Sequence, residues 1–328
     1  MANAWVGSRK EARERLPFCL WIVIVFSLLS TFATKAAGPV QNPQAADDPR
    51  YLGSEICGTC HVDSMQSWKN TAMGRAFLDH PKTPLEARGC ETCHGPGRAH
   101  VEGGGDITAI VRFGKESSLS AQEQNDTCLQ CHEKGARMFW QGSTHESRGL
   151  ACVTCHQVMK PNIPSARFEE PLTGNRQFVK QTTMEVCFQC HLQRRAQVYR
   201  SAHMPFREGK VTCTNCHNPH GTPNPKLLIQ STVNETCYQC HAERRGPFLW
   251  EHPPVMENCA TCHDPHGSSR PQLLKASAPR LCQQCHIEAR HPTTPQLATA
   301  RFAFNRGCTN CHSQIHGSNH PSGVRFHR

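Results

Sequence analysis

The residues that can do chemistry in this chain come as a repeated set: two cysteines three positions apart with a histidine directly behind. The stretch Cys213-Thr-Asn-Cys216-His217 is one copy. The same pentad is built on Cys57, Cys60 and His61; Cys90, Cys93 and His94; Cys128, Cys131 and His132; Cys152, Cys155 and His156; and Cys187, Cys190 and His191. It continues on Cys237, Cys240 and His241; Cys259, Cys262 and His263; Cys282, Cys285 and His286; and Cys308, Cys311 and His312. This is the attachment signature of a c-type haem, whose vinyl groups take the two thiols as thioethers while the histidine becomes an axial iron ligand. On one helical turn, positions i, i+3 and i+4 share a face, so all three bonds reach one porphyrin. A zinc site also uses paired cysteines. With 21 histidines in 328 residues, however, a chance C-x-x-C gains its histidine only about 6% of the time, and here all ten have one. The motifs use 20 of the 21 cysteines, which leaves none for a disulfide framework. The expectation is ten covalent haems c.

The histidines outside the motifs are ordered too. One lies between the odd and even motif of each pair: His80, His145, His203, His252 and His291. Another follows the even motif: His100, His220, His266 and His316. The chain therefore reads as five two-haem units that start at Cys57, Cys128, Cys187, Cys237 and Cys282, at spacings that shrink from 71 to 45 residues. A second axial imidazole on each iron explains this order. His220 stands only three residues beyond His217 and cannot swing round to the far face of the same porphyrin, so its target is a neighbouring iron. Spacing alone does not assign each distal histidine to an iron. One unit departs from the pattern: after His156 the chain reads Gln-Val-Met159, with methionine where the analogous units have His220 and His266. Met159 is read as an axial ligand, which raises a haem potential relative to bis-histidine ligation. The competing reading has Met159 only packing, with His320 or His327 serving that iron or its position open.

The elements that must hold these groups are slight. A basic segment (Arg9, Lys10, Arg13, Arg15), an apolar run from Leu16 to Phe32 and the small residues near Thr34 to Ala36 read as a cleaved signal peptide over 1–36, with an uncleaved anchor as the alternative. Cys19 lies inside that apolar run. The remaining domain, 37–328, carries 31 Lys and Arg against 24 Asp and Glu. That net charge of +7 would suit nucleic acid, but twenty haem propionates offset it, so no nucleic-acid partner is expected. Arg194-Arg195 and Arg244-Arg245 are candidate propionate partners. With about 29 residues per haem the chain cannot bury a conventional core. The fold expected is a multihaem cytochrome c: short helices and loops wrapped round a chain of ten haems, with little or no β-sheet. Ser120-x-x-Glu123, Thr182-x-x-Glu185 and Thr232-x-x-Glu235 are capping boxes that open into motifs, while Gly103–Gly105 and Lys160–Pro164 read as loops.

The stretches Val233–Ser268, Leu281–His286 and Cys308–Gly323 resemble the periplasmic decahaem cytochromes of the MtrA, MtoA, PioA and DmsE type, and the resemblance covers nearly all of 37–328. It implies bis-histidine irons, with His80, His100, His145, His203, His220, His252, His266, His291 and His316 as distal ligands; Met159 departs from the family's tenth histidine. It also implies an electron-transfer protein, not an enzyme, located in the periplasm and associated with the outer membrane. The implied partners are an outer-membrane β-barrel porin, an outer-surface multihaem cytochrome or reductase, and a periplasmic or inner-membrane cytochrome donor. Two alternatives stand beside the wire: a soluble periplasmic shuttle to a terminal reductase, and a multihaem reductase with one open haem.

Overall fold

The computed structural model describes residues 48–159, 178–180, 182–287 and 307–327. The leader, the Lys160–Pro164 loop and His291 lie outside the described residues. Each odd motif sits at the end of a short α-helix: Ser54–Cys60, Ala121–His132, Thr183–Phe188, Val233–Tyr238 and Ala278–Gln283. Three of these helices start where the capping residues predict. Ser120 and Glu123 make both halves of a capping box, while the Thr182 and Thr232 hydroxyls accept the Glu185 and Glu235 N–H groups. Even motifs are tighter. Glu91–His94 is a single α-turn, and Cys152–Thr154, Cys213–Asn215, Cys259–Thr261 and Cys308–Asn310 are 3-10 turns. No sheet forms among the described residues, which hold only isolated antiparallel bridges such as His156–Phe178, His217–Leu228 and His263–Leu274. This is the multihaem cytochrome c fold expected from the sequence.

In the first, second and fourth units a polar clamp joins the two motifs. The residue three positions before the first cysteine of the odd motif accepts the backbone N–H of the first cysteine of the even motif. Ser54 takes the Cys90 N–H at 2.9 Å, Asn125 the Cys152 N–H at 2.6 Å, and Asn234 the Cys259 N–H at 2.7 Å. The asparagines work in both directions: Asn125 donates to the Leu150 carbonyl, and Asn234 to those of Val255 and Met256. Asn125 is 1% exposed and Asn234 6%. Such burial is tolerable because donor and acceptor are both satisfied. The third unit replaces the clamp with an apolar contact. Met184 takes the same position and packs with Phe188, Val198 and Phe206, against which Cys213 also lies.

Little else is packed. Among the described residues only nine apolar side chains are buried, too few to offset the conformational entropy of a chain this long. Three N–H donors, Trp68 Nε1, Trp140 Nε1 and Arg88 Nε, are buried with no partner. Both observations point to a non-polypeptide group that supplies apolar surface and carboxylate acceptors. The clamp makes a prediction. Asn234→Ala leaves one N–H and two carbonyls unpaired and lowers the unfolding free energy of the haem-loaded protein by about 1–3 kcal/mol. Guanidinium titration followed by Soret circular dichroism measures the change, with haem content unaltered.

Candidate haem centres

Each motif closes the same ring of backbone. The N–H of the proximal histidine donates to the carbonyl of the first cysteine, as in His61 to Cys57 at 2.9 Å, His94 to Cys90 at 3.1 Å and His217 to Cys213 at 2.9 Å. That i to i+4 bond puts both sulfurs and the imidazole on one face. In the even motifs a second bond fixes the ring. His94 Nδ1 donates to the Val111 carbonyl at 2.7 Å, His217 Nδ1 to Lys226 at 2.8 Å, His263 Nδ1 to Gln272 at 2.8 Å and His312 Nδ1 to Arg325 at 2.5 Å. Nε2 is thereby left as the free lone pair, the usual arrangement for a metal-bound histidine. Two of these carbonyls come from backbone held in the left-handed region: φ is +58° at Lys226 and +52° at Gln272. Non-glycine residues in that region cost energy and mark positions that the surroundings impose.

The distal histidines face proximal histidines of other motifs. Seven ring pairs have centroids 6.0–6.2 Å apart: His61 with His100, His156 with His220, His191 with His145, His217 with His266, His241 with His203, His263 with His316, and His286 with His252. The separation is nearly constant although the angle between ring planes runs from 16° to 72°. Two imidazoles bonded to opposite sides of one metal ion, at about 2.0 Å to each nitrogen, hold their centroids about 6 Å apart. Among the described residues no three His, Cys, Asp or Glu side chains converge on one point, as a zinc site would require. The residues therefore fit haem iron with two axial imidazoles.

The pairing is an exchange between units. Distal histidines that lie between two motifs reach forward by two motifs: His145 faces the fifth, His203 the seventh and His252 the ninth. Those that follow an even motif reach back by two: His220 faces the fourth, His266 the sixth and His316 the eighth. His100 has no motif two places behind it and faces the first. Each backward-reaching histidine is followed by a glycine that makes the approach. A Cβ on Gly221 would sit 2.0 Å from the Phe139 carbonyl oxygen, one on Gly267 2.6 Å from that of Ser201, and one on Gly317 2.3 Å from the Phe248 ring. All three have positive φ. Only glycine fits these positions.

The same tips are anchored by hydrogen bonds to the unit they reach. Asn218 Nδ2 donates to the Ala136 carbonyl at 2.7 Å, His145 Nδ1 to that of Pro219 at 2.7 Å, and Gln197 Nε2 to Asp264 Oδ2 at 3.0 Å. Burial, and then the Arg194 charge, lowers the pKa of His266; burial followed by Arg244 does the same for His316. Both shifts favour the neutral imidazole that metal binding needs. Of the arginines singled out in the sequence, Arg194 and Arg244 stand beside distal histidines, while Arg195 lies over the Tyr199 ring and Arg245 reaches Glu235. His94 and His132 have no histidine facing them at this distance among the described residues, and neither does His80. His312 lies 4.6 Å from His327, with the rings tilted by 49°, while His320 accepts the Ser322 N–H.

Consecutive motifs meet at their cysteines. Within units, Cys57 stands beside Cys90, Cys128 beside Cys152, Cys237 beside Cys259 and Cys282 beside Cys308. Between units, Cys93 lies within electrostatic reach of Cys128 and Cys131, Cys155 of Cys187 and Cys190, Cys216 of Cys240, and Cys262 of Cys285. Eight of the nine steps from the first motif to the tenth thus bring together cysteines that would carry porphyrin edges. At the ninth, Cys213 packs on Met184 and Phe188, which flank Cys187.

Sequence reasoning singled out the motifs and the seven distal histidines that face them. It missed the clamp residues Ser54, Asn125 and Asn234, whose signal was a shared position three before the odd motif. It also missed the glycine behind each backward-reaching histidine, visible as a repeated His-Gly pair. A model for doubled CXXCH motifs matches residues 203–246 and 252–291. A model described as a cytochrome c-type protein, NrfB-like, matches 90–171. The chain is 41% identical over 285 residues to "Multiheme cytochrome MtrA" of Shewanella baltica (strain OS185), an alignment that covers 84% of this chain and 81% of that one.

If His220 is the partner of His156, His220→Ala opens one iron per chain. The expected outcome is one high-spin centre in the electron paramagnetic resonance spectrum and about one equivalent of carbon monoxide bound on reduction, with every thioether bond kept. Ten centres still low-spin would contradict the pairing.

Proposed function

The chain belongs to the MtrA-type multihaem cytochromes, which are electron-transfer proteins, and from that premise we propose that it is a ten-haem wire between the periplasm and the cell exterior. When bound, haem c supplies a one-electron iron couple that exchanges electrons with its neighbour without any bond to substrate. The run of cysteine contacts in motif order carries the reading. Haems held on these motifs would adjoin in sequence order from Cys57 to Cys311. Paired imidazoles keep six ligands on the iron in either oxidation state, so little has to move when charge arrives. They also fill both axial positions, which leaves those centres no place for a substrate and supports a carrier over an enzyme.

No helix among the described residues is long and apolar enough to cross a membrane. A wire built on this chain would therefore cross the outer membrane inside a β-barrel porin supplied by a partner. An outer-surface multihaem cytochrome or reductase would meet one end, and a periplasmic or inner-membrane cytochrome the other. The positive polypeptide, balanced by propionates, suits a periplasmic carrier and offers nucleic acid nothing.

The test is to extract the outer membrane with mild detergent and follow the haem-stained chain. Purification with a β-barrel at one copy each, and electron transfer through liposomes that hold the pair, are the expected results. Recovery only in the soluble periplasmic fraction would replace the conduit with a soluble shuttle.

A further inference from the structure

We propose that Met159 is the second axial ligand of the iron held by His94, which makes the second centre of the wire its single histidine–methionine haem. The inference rests on the reading of the opposed histidines as iron ligands and goes one step beyond it. Six of the seven observed pairs obey one rule: a ligand that follows an even motif serves the even motif two places earlier, and a ligand between motifs serves the odd motif two places later. Met159 follows the fourth motif by three residues, the same offset that places His220 after the sixth and His266 after the eighth. The proximal histidine before it makes the same kind of bridge. His156 bridges Phe178 as His217 bridges Leu228 and His263 bridges Leu274. Carried back two motifs, the rule brings Met159 to the second, which is His94.

Elimination agrees. His94 and His132 are the proximal ligands before the fifth motif that face no histidine, and His80 and Met159 are the ligands left over in that part of the chain. The forward rule sends His80 to the third motif, His132. His94 is then left for Met159.

The side chain suits its position. The backward-reaching histidines need a glycine behind them because their backbone presses on the preceding unit, and at that place Met159 has Lys160. An unbranched thioether with three rotatable bonds can adapt to a different approach more readily than a rigid imidazole. Met159 is only half-buried in the described structure, so packing gives little reason for a methionine at this site. A thioether ligand raises the potential of its haem. The wire thus has one electron-attracting centre next to its first haem, and bis-imidazole centres along the stretch beyond.

The experiment uses the haem-loaded chain. Near-infrared magnetic circular dichroism of the oxidised protein should show the thioether-to-iron charge-transfer band at an intensity of one haem in ten. Met159→His should abolish the band and lower one of the ten potentials while the other nine stay. Met159→Leu, which preserves packing, should also abolish the band and let about one equivalent of carbon monoxide bind. A density map of the loaded protein should join Met159 Sδ to the iron that His94 holds. A band absent from the parent protein, a silent Met159→Leu, or Met159 joined to any other iron would overturn the proposal. Haem content measured on the same samples separates this failure from that of the wider reading, since ten haems would still be bound.

Discussion

The structure depends on a bond that must be made from two sides. A haem attached through a C-x-x-C-H motif receives one imidazole from its own motif, on one face of the porphyrin, and the geometry of that turn keeps the next few residues from reaching the other face. The second ligand must come from elsewhere in the chain. In six of the seven facing pairs the opposed histidines belong to motifs two apart, so an iron held between them would link one unit to the next. Chain connectivity that would be lax as polypeptide alone becomes a series of cross-links placed by iron coordination.

The remaining features serve that requirement. The Ser54, Asn125 and Asn234 clamps hold the two motifs of a unit at their first cysteines. Gly221, Gly267 and Gly317 let a distal histidine press against the preceding unit at distances no side chain would permit. Carbonyls aimed at proximal Nδ1 atoms set the tautomer, at the expense of strained backbone at Lys226 and Gln272. Stability and conduction then share a cause. Cross-links of this kind would replace a hydrophobic core and also hold successive porphyrin edges at fixed separations, which is what serial electron transfer requires.

Much of this was legible in the sequence because the chemistry is local. A pentad fixes its own turn, so Cys213 to His217 announces haem attachment without reference to the rest of the fold. The distal set was legible from its regular placement, and His220 could be sent to a neighbouring iron on reach alone. Which neighbour was not legible. His145 and His203 stand in equivalent sequence positions, and nothing nearby says that they reach forward while His220 and His266 reach back, because that depends on how one unit docks on another. The asparagine clamps escaped notice for a related reason. Asn125 and Asn234 look like ordinary helix residues until the even motif is folded against them, and Met184 shows that the position is not bound to one chemistry.

Iron-edge anomalous diffraction from crystals of the haem-loaded protein tests the central claim most directly, because it locates each iron independently of the polypeptide. The account predicts an iron midway between the imidazoles of each of the seven pairs, with His156 and His220, His217 and His266, and His263 and His316 each sharing one metal, and with successive irons following motif order. An iron bound by two histidines of a single unit within the second, third or fourth unit, or a break in that order, would contradict it.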